Sequence, residues 1–207
     1  KDVPSKSIHS RMNAPSASYV AEASSVGESS TRSSRGVRSP RWPASSRTIC
    51  CTSAGVGRGP MPTELEEAIG DGIRGRGNGY GTTTRRPRRV GWLDLVAVRY
   101  AAMLNEPTGL VLTLLDVLSG VTELRVCTAY RVGGKTSDRF LPDSSDLERA
   151  EPVYTTMPGF SGDISNTRRR ADLPDAARRY LDFIERSVGV PIQQVGVGPG
   201  REQTIME

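Results

Sequence analysis

Imidazole is nearly missing from this chain: its 207 residues include one histidine, His9, close to the start. From Gly57 onward no histidine is present for acid–base work. Cysteine is scarce as well. Cys50, Cys51 and Cys127 are an odd number without metal-ligand spacing, which points to a reduced, cytoplasmic setting rather than a disulfide scaffold. No run of about 18 apolar residues occurs, so no membrane span is expected. The phosphate-loop pattern G-x-x-x-x-G-K-[ST] is absent. "GVGPG" (196–200) is a poor dinucleotide fingerprint, since Pro199 and the nearby end of the chain leave no following helix. Net charge is also missing where it would matter most. Residues 1–56 hold 8 Lys+Arg and 3 Asp+Glu, whereas residues 57–207 hold 20 of each. The overall +5 therefore belongs to the first quarter, and a nucleic-acid partner is not the expected one for the neutral body.

What is present begins with a Ser-, Arg- and Pro-rich leader. Residues 1–53 have no helical or strand period and few aliphatic side chains, so they are expected to be disordered. The favoured reading is a non-native leader, and the alternative is a basic RNA-binding or localisation tail. Residues 56–207 are expected to be ordered. "PTELEEAI" offers Thr63 as an N-cap with Glu66 three residues on, although Gly70, Gly72, Gly75 and Gly77 weaken that helix. "LDLVAVRYAAMLN" (93–105) reads as a buried helix. "GLVLTLLDVLSG" (109–120) reads as a strand buried on both faces, leading to Asp116. "ELRVCTAYRVGGK" (123–135) reads as a strand and turn. "DLPDAARRYLDFIERSVG" is the clearest helix, with Asp172 as cap, Pro174 in the first turn and Gly189 as stop. "VPIQQVGVGPG" (190–200) reads as a final strand. Strands alternating with helices predict an α/β sheet.

The densest chemistry lies in "YGTTTRRPRRVGW" (80–92). Arg85, Arg86, Arg88 and Arg89 repel one another unless solvent or an anion neutralises them. Their forked guanidinium groups match carboxylate and phosphate oxygens, and the adjoining threonine hydroxyls and backbone N–H groups can complete a small-anion cradle. A solvated basic turn is the plainer alternative. Arg86, Arg88 and Arg89 are expected to be exposed. Asp116, past an apolar strand, sits where ligands of open α/β sheets gather, and its carboxylate can accept from the ring N–H and amino group of guanine. A turn or capping role is the plainer alternative there. The acidic residues Asp143, Asp146, Glu148 and Glu151 read as a solvated face. No catalytic or metal-ligating set is assigned.

Several of these stretches together resemble the C-terminal part of the adenylosuccinate synthetase family, over about residues 56–205. They are "GPMPTELEEAIG", "YGTTTRRPRRVGWLDLVAVRYA", "LTLLDVLSG", "VCTAYRV", "DLERAEPVYTTMPGF", "DLPDAARRYLDFIE" and "VGVPIQQVGVGPGREQTI". The resemblance implies a P-loop-NTPase-like mixed sheet with flanking helices. It also implies a cytoplasmic, homodimeric ligase of purine synthesis that joins IMP to L-aspartate with GTP and Mg2+. Thr82, Thr83, Thr84, Arg85, Arg86, Pro87 and Arg88 match its aspartate loop, with Arg86 also contacting IMP and Arg88 reaching the nucleotide. Leu114, Leu115 and Asp116 match its guanine-reading turn, and Gly196, Val197 and Gly198 its C-terminal guanine-binding backbone. The family has glycine at Arg85, lysine at Leu114, serine at Gly196, aspartate at Gly200 and arginine at Gly55. Its phosphate loop, catalytic aspartate and histidine, Mg2+ ligands and most of its IMP pocket belong to an N-terminal half not found in these 207 residues, so the chain reads as a fragment, inactive alone. A basic-tailed RNA- or polyanion-binding protein, or a dimerising remnant, is the alternative.

Overall fold

The structure is a computed structural model and describes residues 46–50, 53–55, 59–65, 68–81 and 83–207. In chain order the first elements are β1 (Ser46–Cys50), β2 (Ser53–Gly55), α1 (Ala68–Arg76), β3 (Arg89–Gly91), β4 (Leu93–Asp94), α2 (Leu95–Asn105) and β5 (Gly109–Thr113). A 3-10 turn (Leu115–Leu118) leads to β6 (Val121–Val132), β7 (Lys135–Ser137), α3 (Ser144–Glu148) and β8 (Glu151–Phe160). A second 3-10 turn (Arg170–Asp172) precedes α4 (Asp175–Val188), β9 (Ile192–Gly196) and β10 (Thr204–Met206).

The described residues form two four-stranded sheets and a two-stranded antiparallel ribbon, β2-β3. The first has the order β1-β5-β9-β10, with β1, β5 and β9 parallel and β10 antiparallel to β9. The second is built on β6, which pairs in parallel with β4 and antiparallel with β7 and β8. The expected mixed α/β sheet with flanking helices is therefore present. β5 is central, and its Leu110, Val111 and Leu112 are all buried, as a continuous apolar run requires.

The helices follow local chemistry. Asp94 caps α2, its Oδ1 accepting from the N–H groups of Val96 (3.0 Å) and Ala97 (3.1 Å) while Oδ2 accepts from Tyr130 Oη. α4 buries Ala177, Tyr180, Leu181 and Ile184, the spacing of one helical face. It stops at Gly189, whose φ of 77° lies in the left-handed region and whose N–H reaches the Glu185 carbonyl at 2.8 Å. Glu185 also locks α4 to the sheet: its carboxylate accepts from Arg170 and, at 2.7 Å, from the N–H of Ile192 at the start of β9.

Several expectations are corrected. Asp172 does not cap α4; it ends the second 3-10 turn and pairs with Arg169, and Pro174 holds the capping position with no side-chain bond. Thr63 starts no helix. It is buried, its carbonyl accepts from Trp92 N at 3.0 Å, and Glu66 lies outside the described residues. α1 instead runs through Gly70, Gly72 and Gly75. Gly70 is needed there, because a Cβ would sit 2.6 Å from the Leu65 carbonyl oxygen. The disordered segment expected over residues 1–53 lies outside the described residues except for Ser46–Cys50 and Ser53, which belong to strands. The open edge of β5 supplies the backbone partners for the first of these. β8, with Pro152 and Pro158, was not foreseen. Among the described residues it pairs with β6 alone, and proline's missing N–H is tolerated on such an edge strand.

Candidate functional site

Two groups of residues make up the site. The first is the arginine loop, which is a closed hairpin. Arg88 N donates to the Gly79 carbonyl (2.8 Å), Gly81 N to the Arg86 carbonyl (2.8 Å) and Arg85 N to the Gly81 carbonyl (2.9 Å). Tyr80 and Pro87 face each other as an isolated bridge. Thr82 lies outside the described residues. Thr83, Thr84, Arg85, Arg86 and Pro87 are exposed at the tip, and Arg88 is half-buried at the neck. Among the described residues no carboxylate pairs with Arg85, Arg86 or Arg88, so the tip presents uncompensated positive charge.

Arg85 has φ of 53°, the left-handed region that favours glycine. A side chain with a Cβ costs about 1 kcal/mol there.

Arg89, like the half-buried Arg88, departs from the expectation of exposure. It is half-buried in β3, with Nε 2.7 Å from Glu64 Oε1, a second bond from Nη2 to Oε2, and Nη1 2.5 Å from the Gly59 carbonyl. This fork holds the Glu64 carboxyl below its usual range, with the Arg89 hydrogen bond as the largest cause. Arg85 and Arg86 are thus exposed at the tip, Arg88 is half-buried at the neck, and Arg89 anchors the base of the hairpin.

The second group lies at the carboxyl ends of β5 and β9. These strands are parallel neighbours, with Leu112 opposite Val195. A Cβ on Gly196 would lie 3.4 Å from Thr113 Cα and 3.5 Å from Leu114 N, so the end of β9 touches the turn after β5. Leu114 turns the chain at φ 61°, ψ 37° and packs on the core, and Leu115 is fully buried. Asp116 follows on the 3-10 turn. Its Oδ1 is buried and meets no hydrogen-bond partner among the described residues. Burial pushes its carboxyl above the usual range, and the negative charge of Asp163 adds to the effect. Beyond β9, Val197 N donates to the Gln203 carbonyl at 2.9 Å, and Gly200 N donates to Gln203 Oε1 at 2.7 Å. The glycine-rich end is thereby folded back as a turn onto Gln203.

A buried carboxylate oxygen without a donor costs about 1–3 kcal/mol, and a planar N–H edge would satisfy it. Guanine offers a ring N–H and an exocyclic amino group side by side; adenine has no ring N–H on that edge. Asp116 makes no side-chain capping bond, but it does sit on a 3-10 turn, so the turn half of the plainer alternative stands beside the guanine reading.

Arg74, Arg76, Gln203 and Asp163 were not singled out by sequence reading. Arg74 Nε donates to the Arg88 carbonyl at 2.7 Å and Arg76 Nε to the Val117 carbonyl at 2.8 Å. Nothing in "GIRGRG" distinguishes these two from ordinary surface arginines. Among the described residues no group of three or more His, Cys, Asp or Glu is placed to hold a metal ion. A groove of about 380 Å3 touches α1 through Ile69, Gly72 and Arg76, but includes neither the loop tip nor Asp116 nor Gly196–Gly198. No helix is long and apolar enough to cross a membrane among the described residues.

Known proteins resemble this chain in sequence and fold. A family profile described as adenylosuccinate synthetase matches residues 21–205. The adenylosuccinate synthetase of Salinibacter ruber is 52% identical over 152 residues, which is 73% of this chain and 35% of that protein. That of Desulfosudis oleivorans is 52% identical over 151 residues, with the same two shares of 73% and 35%. The structure of fully ligated adenylosuccinate synthetase from Plasmodium falciparum superposes with a TM-score of 0.74 at 36% identity, over 77% of this chain and 38% of that one. The chain thus spans about a third of the length of the curated relatives it matches. With motifs, fold and sequence in agreement, the chain belongs to the adenylosuccinate synthetase family.

Proposed function

We propose that this chain carries the aspartate-loop and guanine-reading part of a ligase of AMP biosynthesis. The complete reaction joins IMP to L-aspartate at the expense of GTP, giving adenylosuccinate, GDP and phosphate. One observation carries the reading: the buried Oδ1 of Asp116, without a hydrogen-bond partner among the described residues, on the turn that follows β5, whose Thr113 and Leu114 lie against Gly196 at the end of β9. In this role Asp116 accepts from the guanine edge while the glycine backbone admits the base closely. Arg86 clamps the carboxylates of aspartate and contacts IMP, Arg88 reaches the nucleotide, and Thr83 and Thr84 supply neutral donors beside them.

In the proposed sequence the γ-phosphoryl group of GTP passes to the 6-oxygen of IMP, and the amine of aspartate then displaces it as phosphate. Magnesium would neutralise charge on the transferring phosphoryl group, but the described residues offer it no ligand cluster. Nor do residues 57–207 contain a histidine or a phosphate loop. The chain alone is therefore proposed to bind rather than to turn over. Homodimerisation and a cytoplasmic setting are part of the same family reading.

The experiment is a pair of measurements on the 207-residue chain. Calorimetric titration should show GDP binding over ADP, and loss of that preference in Asp116→Asn. Incubation with IMP, GTP, Mg2+ and aspartate should yield no adenylosuccinate above background. Equal affinity for GDP and ADP contradicts the guanine assignment; product from protein free of host enzyme contradicts the binding-only role.

A further inference from the structure

The two halves of the site are connected by one short helix. Arg74, near the end of α1, grips both legs of the arginine loop at its neck. Its backbone carbonyl accepts from Gly79 N at 2.8 Å, and its Nε donates to the Arg88 carbonyl at 2.7 Å. Its Nη1 pairs with Asp71, one turn back on the same helix, which fixes the aim of the guanidinium. A Cβ on Gly79 would lie 3.0 Å from Arg74 Cγ, so the side chain lies along the neck.

Two residues further on, Arg76 reaches the other half. Its Nε donates at 2.8 Å to the carbonyl of Val117, the residue after Asp116. That carbonyl ends a four-residue 3-10 turn, where it needs a partner from elsewhere. Gly77 comes equally close, since a Cβ there would lie 3.4 Å from Val117 Cγ1. Both arginines bond through Nε, the least mobile nitrogen of the group, to backbone rather than to another flexible side chain.

We propose that α1 is a strut that sets the spacing between the anion loop and the Asp116 turn. Arg74 and Arg76 are its positioning residues, and through them occupancy of the guanine half steadies the anion half. The inference rests on the reading of the site given above for its ligands, and on the hydrogen bonds alone for its mechanics.

Amide hydrogen exchange on the whole 207-residue chain tests it, with and without GDP, for the parent, Arg74→Ala, Arg74→Lys and Arg76→Ala. Without ligand, Arg74→Ala should speed exchange at the Gly81, Arg85 and Arg88 amides roughly three- to tenfold, the worth of one net hydrogen bond. Arg76→Ala should do the same at Val117 and Ser119, while the amides within α1 stay as protected as in the parent. Arg74→Lys, which keeps a donor and the charge, should restore part of the loop's protection. A uniform rise over the whole chain, or no change at those amides, would overturn the strut. With GDP, the parent should gain protection both at the turn and in the loop, and Arg76→Ala should lose the gain in the loop. Loop protection that survives Arg76→Ala overturns the coupling. Absence of any GDP effect on the parent overturns the coupling together with the guanine reading, while the ligand-free pattern still decides whether Arg74 and Arg76 position the two segments.

Discussion

Asp116 and Glu64 are both carboxylates at the site, yet they respond to pH in opposite senses. The carboxyl of Asp116 is raised by burial, so its ionised form opposes folding at neutral pH. That penalty is fully present above the raised folded value and is relieved as pH falls through it toward the ordinary value of 3.8. Asp116→Asn should accordingly stabilise the ligand-free chain by about 1 kcal/mol at pH 7, discounted for partial solvent access, while removing guanine preference. Urea midpoints of parent and variant should converge as pH is lowered from 7 toward 4. Glu64 is held low by Arg89, so its contribution is present above its ordinary value of 4.5 and disappears as pH falls through the depressed folded value. Glu64→Gln should cost about 0.5–1 kcal/mol at pH 7, since the pair is partly exposed. The cost should shrink below pH 4.5, where the parent loses the same charge. A variant equally stable with the parent at pH 7 would show that the fork to Arg89 is only a surface contact. The sequence cluster gave no sign that Arg89 differs from its neighbours. Its partner Glu64 is remote in sequence, and only the β3 register brings the two together.

At the level of elements, the arginine loop is where local sequence and backbone disagree. The hairpin needs φ of 53° at position 85 and carries arginine there. Arg85→Gly should raise stability by about 0.5–1 kcal/mol, because relief of the left-handed strain outweighs the extra freedom that glycine has when unfolded. Thermal unfolding of the two chains checks this, and a lower midpoint for the variant would mean that the Arg85 side chain contributes a contact that offsets its dihedral. Legibility varied with how local the cause was. α4 and its Gly189 stop, the buried run of β5 and the turn after β6 could be read because their periods and glycines act within a few residues. Gly133 and Gly134 sit at φ of 56° and 77°, as a tight connection demands. α1 and β8 could not be read, since both oppose local propensity. Leu65 crowds the helix at Gly70, and prolines stand in a strand that pairs, among the described residues, with β6 alone.

For the molecule as a whole, the site depends on adjacency between distant segments. Asp116 lies on the turn after β5 and Gly196 ends β9, and these two strands are parallel neighbours, yet nothing in the sequence spacing says so; the family resemblance suggested the pairing, and the sheet order puts the two strand ends side by side. The position of Leu114 offers the most direct test. It turns the chain immediately before the buried carboxylate, next to the end of β9, where the family pattern has lysine. The decisive measurement is the calorimetric affinity of the chain for GDP before and after Leu114→Lys. The added ammonium should tighten GDP binding roughly tenfold, the worth of one charge-assisted hydrogen bond, leave ADP unaffected, and lose the gain when Asp116→Asn is combined with it. An unchanged GDP affinity, or an equal gain for ADP, would contradict the placement of a guanine site at the ends of β5 and β9.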